Sequence, residues 1–116
     1  MAKILVVDDE GFVRELIRTY LRGCGHSVVE AADGQEALEK FHDDPADLII
    51  SDNAMPRMTG SEMVRILRAQ NARVKILGIT GLNVDCDAEE QLDAILHKPF
   101  TRDAFLAVVD DLIAAP

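Results

Sequence analysis

The feature that most constrains the fold is an unbroken apolar run that ends abruptly in charge. Ile4 to Val7 are all apolar, and Asp8, Asp9 and Glu10 follow them directly. Such a run is typical of a strand buried on both faces, as in a parallel sheet covered by helices on both sides. A chain that folds in this way brings three negative charges to the edge of its core and has to accommodate them.

The composition fits one domain with an acidic character. The 116 residues are 48% hydrophobic, which is enough to close a single core, so we expect one domain over residues 1–116. A net charge of −9 disfavours direct binding to nucleic acid or anionic lipid. No apolar stretch has the length of a membrane span or of a signal peptide's hydrophobic region, so a cytoplasmic protein is expected. Cys24 and Cys86 lack the spacing of a metal site and are expected to be free thiols.

Apolar runs alternate with helical patterns along the chain, which is typical of a parallel sheet built from crossover connections. The predicted strands are Lys3–Val7, Ser27–Ala31, Asp47–Ser51, Lys75–Ile79 and Ala94–His97. The pattern therefore predicts an α/β fold with five strands and with helices on both faces of the sheet.

The helices are marked by their period and their caps. The first is predicted to begin near Gly11 and to end at Gly23 and Gly25. Its predicted buried face comprises Phe12, Val13, Leu16, Ile17, Tyr20, Leu21 and Cys24. Asp33 is expected to cap the second helix and Thr101 the last. The third helix follows the sequence MPRMTG, with apolar positions at Met63, Val64, Ile66 and Leu67.

Polar residues end four of the five predicted strands. They are Asp8 and Asp9 after the first, Asp52 after the third, Thr80 after the fourth and Lys98 after the fifth. Ligands of open parallel sheets bind beyond the carboxyl ends of the strands, so these side chains are expected to converge. Three carboxylates repel one another unless cations neutralise them, and a divalent ion with the lysine would balance their charge.

All-oxygen ligation favours Mg²⁺, which takes one or two carboxylates and keeps several waters. A hard metal ion, an ammonium and a hydroxyl together make a receptor for a phosphoryl group. A carboxylate beside them can act as the nucleophile. The residues at the strand ends therefore predict phosphoryl chemistry on a carboxylate.

The sequence resembles the receiver domain of two-component response regulators over essentially its whole length. The motifs that carry the resemblance are ILVVDDE, DLIISDNAMPRMTG, GIT and HKPF, in the family's order and with about its gaps. The resemblance implies a flavodoxin-like three-layer sandwich with strand order 2-1-3-4-5. It also implies a signalling switch rather than a metabolic enzyme. Such a switch catalyses only its own phosphorylation and dephosphorylation.

By this resemblance, Asp52 is the phosphoacceptor, supplied by a histidine kinase or a histidine phosphotransfer protein. Asp8, Asp9, Asp52 and the backbone carbonyl of Ala54 would hold Mg²⁺. Thr80 would donate a hydrogen bond to the phosphoryl group and Lys98 would pair with its oxygens. The Lys98–Pro99 bond is expected to be cis. A downstream protein target is a further expected partner.

The simpler interpretations are a solvated turn for Asp8 and Asp9 and a helix or turn cap for Asp52; the matching residues at the other strand ends favour the site. Glu10 is interpreted as a helix-start residue outside the metal site.

Arg14, Arg18 and Arg22 form a stripe on the first helix. It is interpreted as a solvated face, with docking of an acidic partner as the alternative.

The chain departs from the family between Thr80 and Lys98, where it is several residues shorter. The predicted fourth helix, in DCDAEEQLD, is therefore short or poorly formed. Ile95 stands where the family has an aromatic switch residue. Ala54 and Leu82 are apolar at positions that tune dephosphorylation in the family, which predicts a long-lived phosphoryl group.

Two other functions are compatible with parts of the pattern. One is an interaction module on the same fold that acts without phosphorylation, which the unusual fourth-helix segment favours. The other is a Mg²⁺-dependent aspartyl-phosphate phosphatase of the haloacid dehalogenase type. That chemistry needs a D-x-D arrangement after the first strand, where this chain has VVDDE.

Overall fold

Strands and helices alternate in the computed structural model, which describes residues 2–52, 60–70, 74–80 and 92–114. The strands are β1 Lys3–Val7, β2 Ser27–Ala31, β3 Leu48–Asp52, β4 Lys75–Thr80 and β5 Ala94–His97. The helices of the described residues are α1 Gly11–Gly23, α2 Gly34–Asp43, α3 Gly60–Ala69 and α4 Arg102–Ala114. All five predicted strands are confirmed, with β3 shifted by one residue and β4 extended by one.

The strands form one parallel sheet in the order β2-β1-β3-β4-β5, as the resemblance implied. Side chains alternate along β1, so Ile4 and Val6 enter the core under α1 and α4, while Leu5 and Val7 enter the core under α2 and α3. This two-sided burial explains why the run from Ile4 to Val7 is uninterrupted. The flavodoxin-like three-layer arrangement is confirmed.

The predicted caps are present. A carboxylate oxygen of Asp33 accepts the backbone N–H of Glu36 at 2.9 Å, and the hydroxyl of Thr101 accepts the backbone N–H of Ala104 at 3.1 Å. Gly25 has a φ of 85°, a left-handed conformation that suits the chain reversal after α1. The helix predicted between Thr80 and Lys98 lies in residues 81–91, outside the described residues.

The predicted buried face of α1 is wrong in part. Ile17 and Leu21 are buried, but Phe12 is 77% exposed and Leu16 38% exposed. The apolar arc covers about half of the helix circumference, whereas a sheet covers a narrower stripe. The outer flank of the arc therefore faces solvent. Cys24 is also exposed, because the helix ends at Gly23 before this position can continue its buried face.

The arginine stripe is also corrected. Arg14 and Arg18 lie on the flank of α1 that faces β2, and both pair with the carboxylate of Glu30. Arg22 is exposed, as a solvated face requires. The rotation of α1 on the sheet brings two arginines against an edge strand and leaves Phe12 on the opposite flank. A solvated stripe is therefore wrong for the first two arginines.

No helix of the described residues is long and apolar enough to span a membrane.

Candidate functional site

The candidate site lies at the carboxyl edge of the sheet, where β1 and β3 are neighbours. Val7 pairs with Ser51 in the parallel register, so Asp8, just after β1, lies beside Asp52, the last residue of β3. Both carboxylates are buried, with 1% and 7% of their residue surface exposed. Two acidic groups that approach each other in a buried position are costly unless a cation or a proton neutralises them.

The backbone and side chain of Asp8 are held at three points. Its N–H donates to the carbonyl of Ala31 at 3.1 Å, which extends the β1–β2 pairing by one residue. Its carboxylate Oδ1 accepts the backbone N–H of Glu10 at 2.8 Å, and its carbonyl accepts a hydrogen bond from Nη1 of Arg14. The position of this carboxylate is therefore defined by groups from β2, the turn and α1.

The pKa of Asp8 is raised from its ordinary value of 3.8 to about 6. Burial is the largest cause, and the negative charges of Asp52 and Asp9 add to it. The hydrogen bond from Glu10 and the positive charge of Lys98 oppose the shift. A carboxylic acid with this pKa holds its proton in part near neutral pH, so a bound cation has to displace that proton.

The carboxylates of Asp8, Asp9 and Glu10 form a cluster in which one oxygen of each lies within 4.8 Å of the others. Asp9 and Glu10 are exposed, while Asp8 is buried. The sequence interpretation left Glu10 outside the site, but the turn that hydrogen-bonds its N–H to Asp8 brings its carboxylate back beside the other two. An aspartate side chain commonly accepts the backbone N–H two residues later and so forms a turn. The two-residue spacing of Asp8 and Glu10 was the sequence signal that could have predicted this turn.

Lys98 supplies a positive charge on the other side of the site. Its Nζ lies 3.5 Å from Oδ2 of Asp52, and the Lys98–Pro99 bond is cis, as expected. Asp52 has further interactions besides this pair. The structure thus brings together four of the predicted side chains: Asp8, Asp9, Asp52 and Lys98.

The remaining predicted site positions are described only in part. Thr80 is the last residue of β4 and pairs with His97, which puts its backbone at the same edge of the sheet; its side chain is not among the described groups. Ala54 and Leu82 lie outside the described residues. Ile95, at the position of the family's aromatic residue, is half-buried in β5 and pairs with Gly78.

Comparison with known proteins gives one consistent result. The family model of the response regulator receiver domain matches residues 4–110. The chain is 39% identical over 109 residues to the response regulator MprA of Mycolicibacterium vanbaalenii, which corresponds to 90% of this chain and 47% of that protein. It is 37% identical over 103 residues to the alkaline phosphatase synthesis transcriptional regulatory protein PhoP of Bacillus subtilis, covering 85% of this chain and 43% of that one. The chain spans less than half the length of these two relatives.

Solved structures agree. The receiver domain of the Francisella response regulator 1452 superposes with a TM-score of 0.90 at 29% identity, covering 97% of each chain. The response regulator TrrA of Thermotoga maritima, solved in complex with Mg²⁺ and BeF, superposes with a TM-score of 0.90 at 34% identity, covering 97% of this chain and 99% of that one. Both likenesses extend over almost the whole chain.

Proposed function

Because the chain belongs to the response regulator receiver domain family, we propose that residues 1–116 form one receiver unit that takes a phosphoryl group onto Asp52. The donor is a histidine kinase or a histidine phosphotransfer protein, and the phosphorylated form changes conformation to signal to a protein target. The family is a signalling switch, so this unit catalyses only its own phosphorylation and dephosphorylation. The reaction takes place in the cytoplasm, with no nucleic acid bound directly.

One observation carries the proposal: two buried carboxylates, Asp8 and Asp52, lie at one edge of the sheet with the ammonium of Lys98 3.5 Å from the second. Asp8, Asp52 and Lys98 together bring two negative charges and one positive charge to this edge. The raised pKa of Asp8 is consistent with that excess. Such an edge suits a divalent cation, which neutralises the negative charge of the carboxylates. It also suits a phosphoryl group, whose negative charge the cation and the lysine balance.

The acidic residues fit Mg²⁺, which prefers carboxylate oxygens, because Asp8 and Asp9 belong to a cluster, with Glu10, whose carboxylate oxygens lie within 4.8 Å of one another, and because the buried Asp52 lies on the strand beside Asp8. Asp8, Asp9, Asp52 and the carbonyl of Ala54 would hold it. When bound, Mg²⁺ would neutralise charge on the phosphoryl oxygens.

The chain's own groups would carry the transfer. A carboxylate oxygen of Asp52 attacks the phosphorus atom of the partner's phosphohistidine; the new P–O bond forms as the P–N bond breaks, and the imidazole leaves with the electron pair. Lys98 pairs with the phosphoryl oxygens and Thr80 donates a hydrogen bond to them, which stabilises the charge of the transition state. Hydrolysis of the acyl phosphate is slow, because the apolar side chains of Ala54 and Leu82 cannot hydrogen-bond and orient an attacking water molecule.

The exposed flank of α1 is the surface we assign to the phosphodonor partner. Phe12 and Leu16 lie one turn apart on the helix that begins at the acidic edge, so a partner that covers them stands next to Asp52. Exposed large apolar side chains of this kind are typical of protein contacts. The resemblance implies the same helix as the kinase or phosphotransferase contact.

The test is incubation with Mg²⁺ and a small phosphodonor such as acetyl phosphate, with Asp52→Asn as the matched variant. We expect the wild type to gain acid-stable, base-labile phosphate, and the variant to gain none. The label on the wild type should then decay slowly in Mg²⁺. A wild type that takes no phosphate would leave the alternative, an interaction module that acts without phosphorylation.

A further inference from the structure

Arg14 connects the acidic edge to the edge strand of the sheet. Its Nη1 donates to the backbone carbonyl of Asp8, and its Nε lies 3.4 Å from Oε1 of Glu30 on β2. The guanidinium is largely covered, with 22% of the side chain exposed. One arginine therefore connects the turn that carries the acidic cluster to the carboxylate of Glu30 on β2.

Glu30 is itself held by three cations. Its carboxylate accepts a hydrogen bond from Nη1 of Arg18 at 2.8 Å, and its backbone carbonyl accepts one from Nζ of Lys40. Lys40 also pairs with Glu36 at 2.9 Å. Glu30 is thus a defined anchor for Arg14, since groups from α1 and α2 converge on it. The same strand end supplies the Ala31 carbonyl to which Asp8 donates.

We propose that Arg14 is a positioning residue for the metal pocket: by holding the carbonyl of Asp8 against the Glu30 anchor, it keeps the Asp8 carboxylate where Mg²⁺ binds. The inference rests on the proposed function. Arg14 does not contact the carboxylate itself. It acts through the backbone: the N–H and the carbonyl of Asp8 belong to the two peptide units that flank its Cα, so hydrogen bonds to both fix the Cα, and the hydrogen bond from the Glu10 N–H then orients the carboxylate.

The sign of the effect separates this role from simple electrostatics. A positive charge near an acidic pocket opposes Mg²⁺, so removal of a cation that acts only by its charge should tighten binding. Removal of a group that holds a ligand residue in place should weaken it, by about 10-fold to 100-fold for partners of metal ligands. The two roles of Arg14 therefore predict changes of opposite direction.

The experiment measures Mg²⁺ affinity by isothermal titration calorimetry for wild type, Arg14→Met, Arg14→Lys and Arg18→Met. Methionine keeps much of the apolar stem of the arginine. Arg18→Met is the matched control, because Arg18 also pairs with Glu30 and carries the same charge on the same helix, but its ion pairs within the described residues are with Glu30 and Glu15 and not with Asp8. Urea unfolding without metal verifies that each variant is folded.

We expect Arg14→Met to bind Mg²⁺ about 10-fold more weakly than wild type, Arg14→Lys to restore part of the loss, and Arg18→Met to bind as well as wild type or better. Phosphorylation of Arg14→Met by acetyl phosphate should fall at low Mg²⁺ and return to the wild-type rate at saturating Mg²⁺. A general structural defect would instead appear as a loss of stability in the urea unfolding without metal.

Unchanged or tighter Mg²⁺ binding in Arg14→Met would overturn the inference, as would equal weakening in Arg18→Met. Neither result would touch the proposed function, which depends on phosphate incorporation at Asp52. Conversely, a wild type without measurable Mg²⁺ affinity would overturn the proposed function itself, and the positioning role with it.

Discussion

The two sides of the candidate site are held in different ways. On the β1 side, the Asp8 backbone and carboxylate take part in three hydrogen bonds, and an ion-pair network that includes Arg14 and Glu30 supports them. On the β5 side, Nζ of Lys98 lies 3.5 Å from Oδ2 of Asp52. The β5 strand has four residues, three half-buried and one exposed, whereas four of the five residues of β1 are buried.

This difference suggests a division of labour. A metal site needs ligand residues in fixed positions, and the β1 side meets that need with directional bonds from three elements. A switch needs one part that has two arrangements of similar free energy. The β5 strand is a short edge strand of half-buried and exposed residues, so less buried surface holds this described part of the chain in one arrangement. We therefore assign metal binding to the first side and the conformational response to the second, and four predictions test this assignment.

The largest expected effect is that of Lys98→Met. Loss of the ammonium beside Asp52 should slow phosphorylation by acetyl phosphate about 10²-fold to 10³-fold, as for removal of one charge-stabilising group from an active site. Mg²⁺ affinity should stay equal or rise, because a competing cation is gone. Lys75→Met, at the opposite end of the sheet, is the control and should react at the wild-type rate. Equal rates in the two variants would remove Lys98 from the mechanism.

Asp8→Asn comes next. Asparagine keeps the oxygen that accepts the Glu10 N–H but removes the buried charge, so the metal-free protein should become more stable at pH 7, by about 1–3 kcal/mol. The pKa of Asp8 is about 6 in the folded protein and 3.8 in the unfolded one. The charge of Asp8 therefore destabilises the fold fully above pH 6, and it has no effect below pH 4, where the carboxyl is protonated in both states. Urea titrations at pH 7 and pH 4 measure the difference, which should vanish at the lower pH.

In the same experiment Mg²⁺ should stabilise the wild type and leave Asp8→Asn almost unaffected. Asp9→Asn serves as the control for stability, because an exposed carboxylate has little desolvation to lose. If Asp8→Asn instead destabilises the metal-free protein at pH 7, the buried charge of Asp8 does not destabilise the fold, and the prediction is wrong.

The third prediction concerns pH. With the pKa of Asp8 near 6, a proton competes with Mg²⁺ below that value, and the apparent affinity should fall about tenfold between pH 7 and pH 5. Arg18→Met should show the same midpoint, since it alters the ion pairs of Glu30 but none of the hydrogen bonds that Asp8 makes with Ala31, Glu10 and Arg14. Titration calorimetry at four pH values measures the midpoint. A flat profile across this range would contradict the raised pKa.

The smallest effect tests packing on the β5 side. A Cβ on Gly78 of β4 would lie 2.7 Å from Cδ1 of Leu92, so Gly78→Ala should lower the free energy of unfolding by about 1 kcal/mol as the leucine tip moves. Leu92→Val should relieve most of that cost when combined with it. Urea unfolding of the two single variants and the double variant gives the coupling. Additive losses would mean that some other contact, not Leu92, resists the methyl group.

Local patterns predicted the elements well because their signals are local. The run Ile4 to Val7 identified a strand with two buried faces, and Asp33 and Thr101 capped the helices that follow them. The spacing of polar residues at strand ends also predicted that Asp8, Asp52 and Lys98 would meet, since parallel strands share a carboxyl edge. The strand order itself came from the family resemblance.

The errors share one physical origin. The face of α1 was assigned from its apolar residues, yet Phe12 and Leu16 face solvent while Arg14 and Arg18 turn toward Glu30. Periodicity defines which residues share a side of a helix, but not how that side is rotated against a sheet. The rotation depends on which side chains of the neighbouring strand are available, and here the edge strand offers a carboxylate.

What the sequence by itself determined is therefore the kind of protein this is: a helix-covered parallel sheet whose strand ends carry acids and a lysine, a pattern shared with receiver domains. Only the tertiary structure decided how strongly Asp8 is buried, that Glu10 returns to the acidic cluster, and that Arg14 holds the Asp8 carbonyl. These facts depend on contacts between elements, and a contact across the sheet leaves no period in the chain.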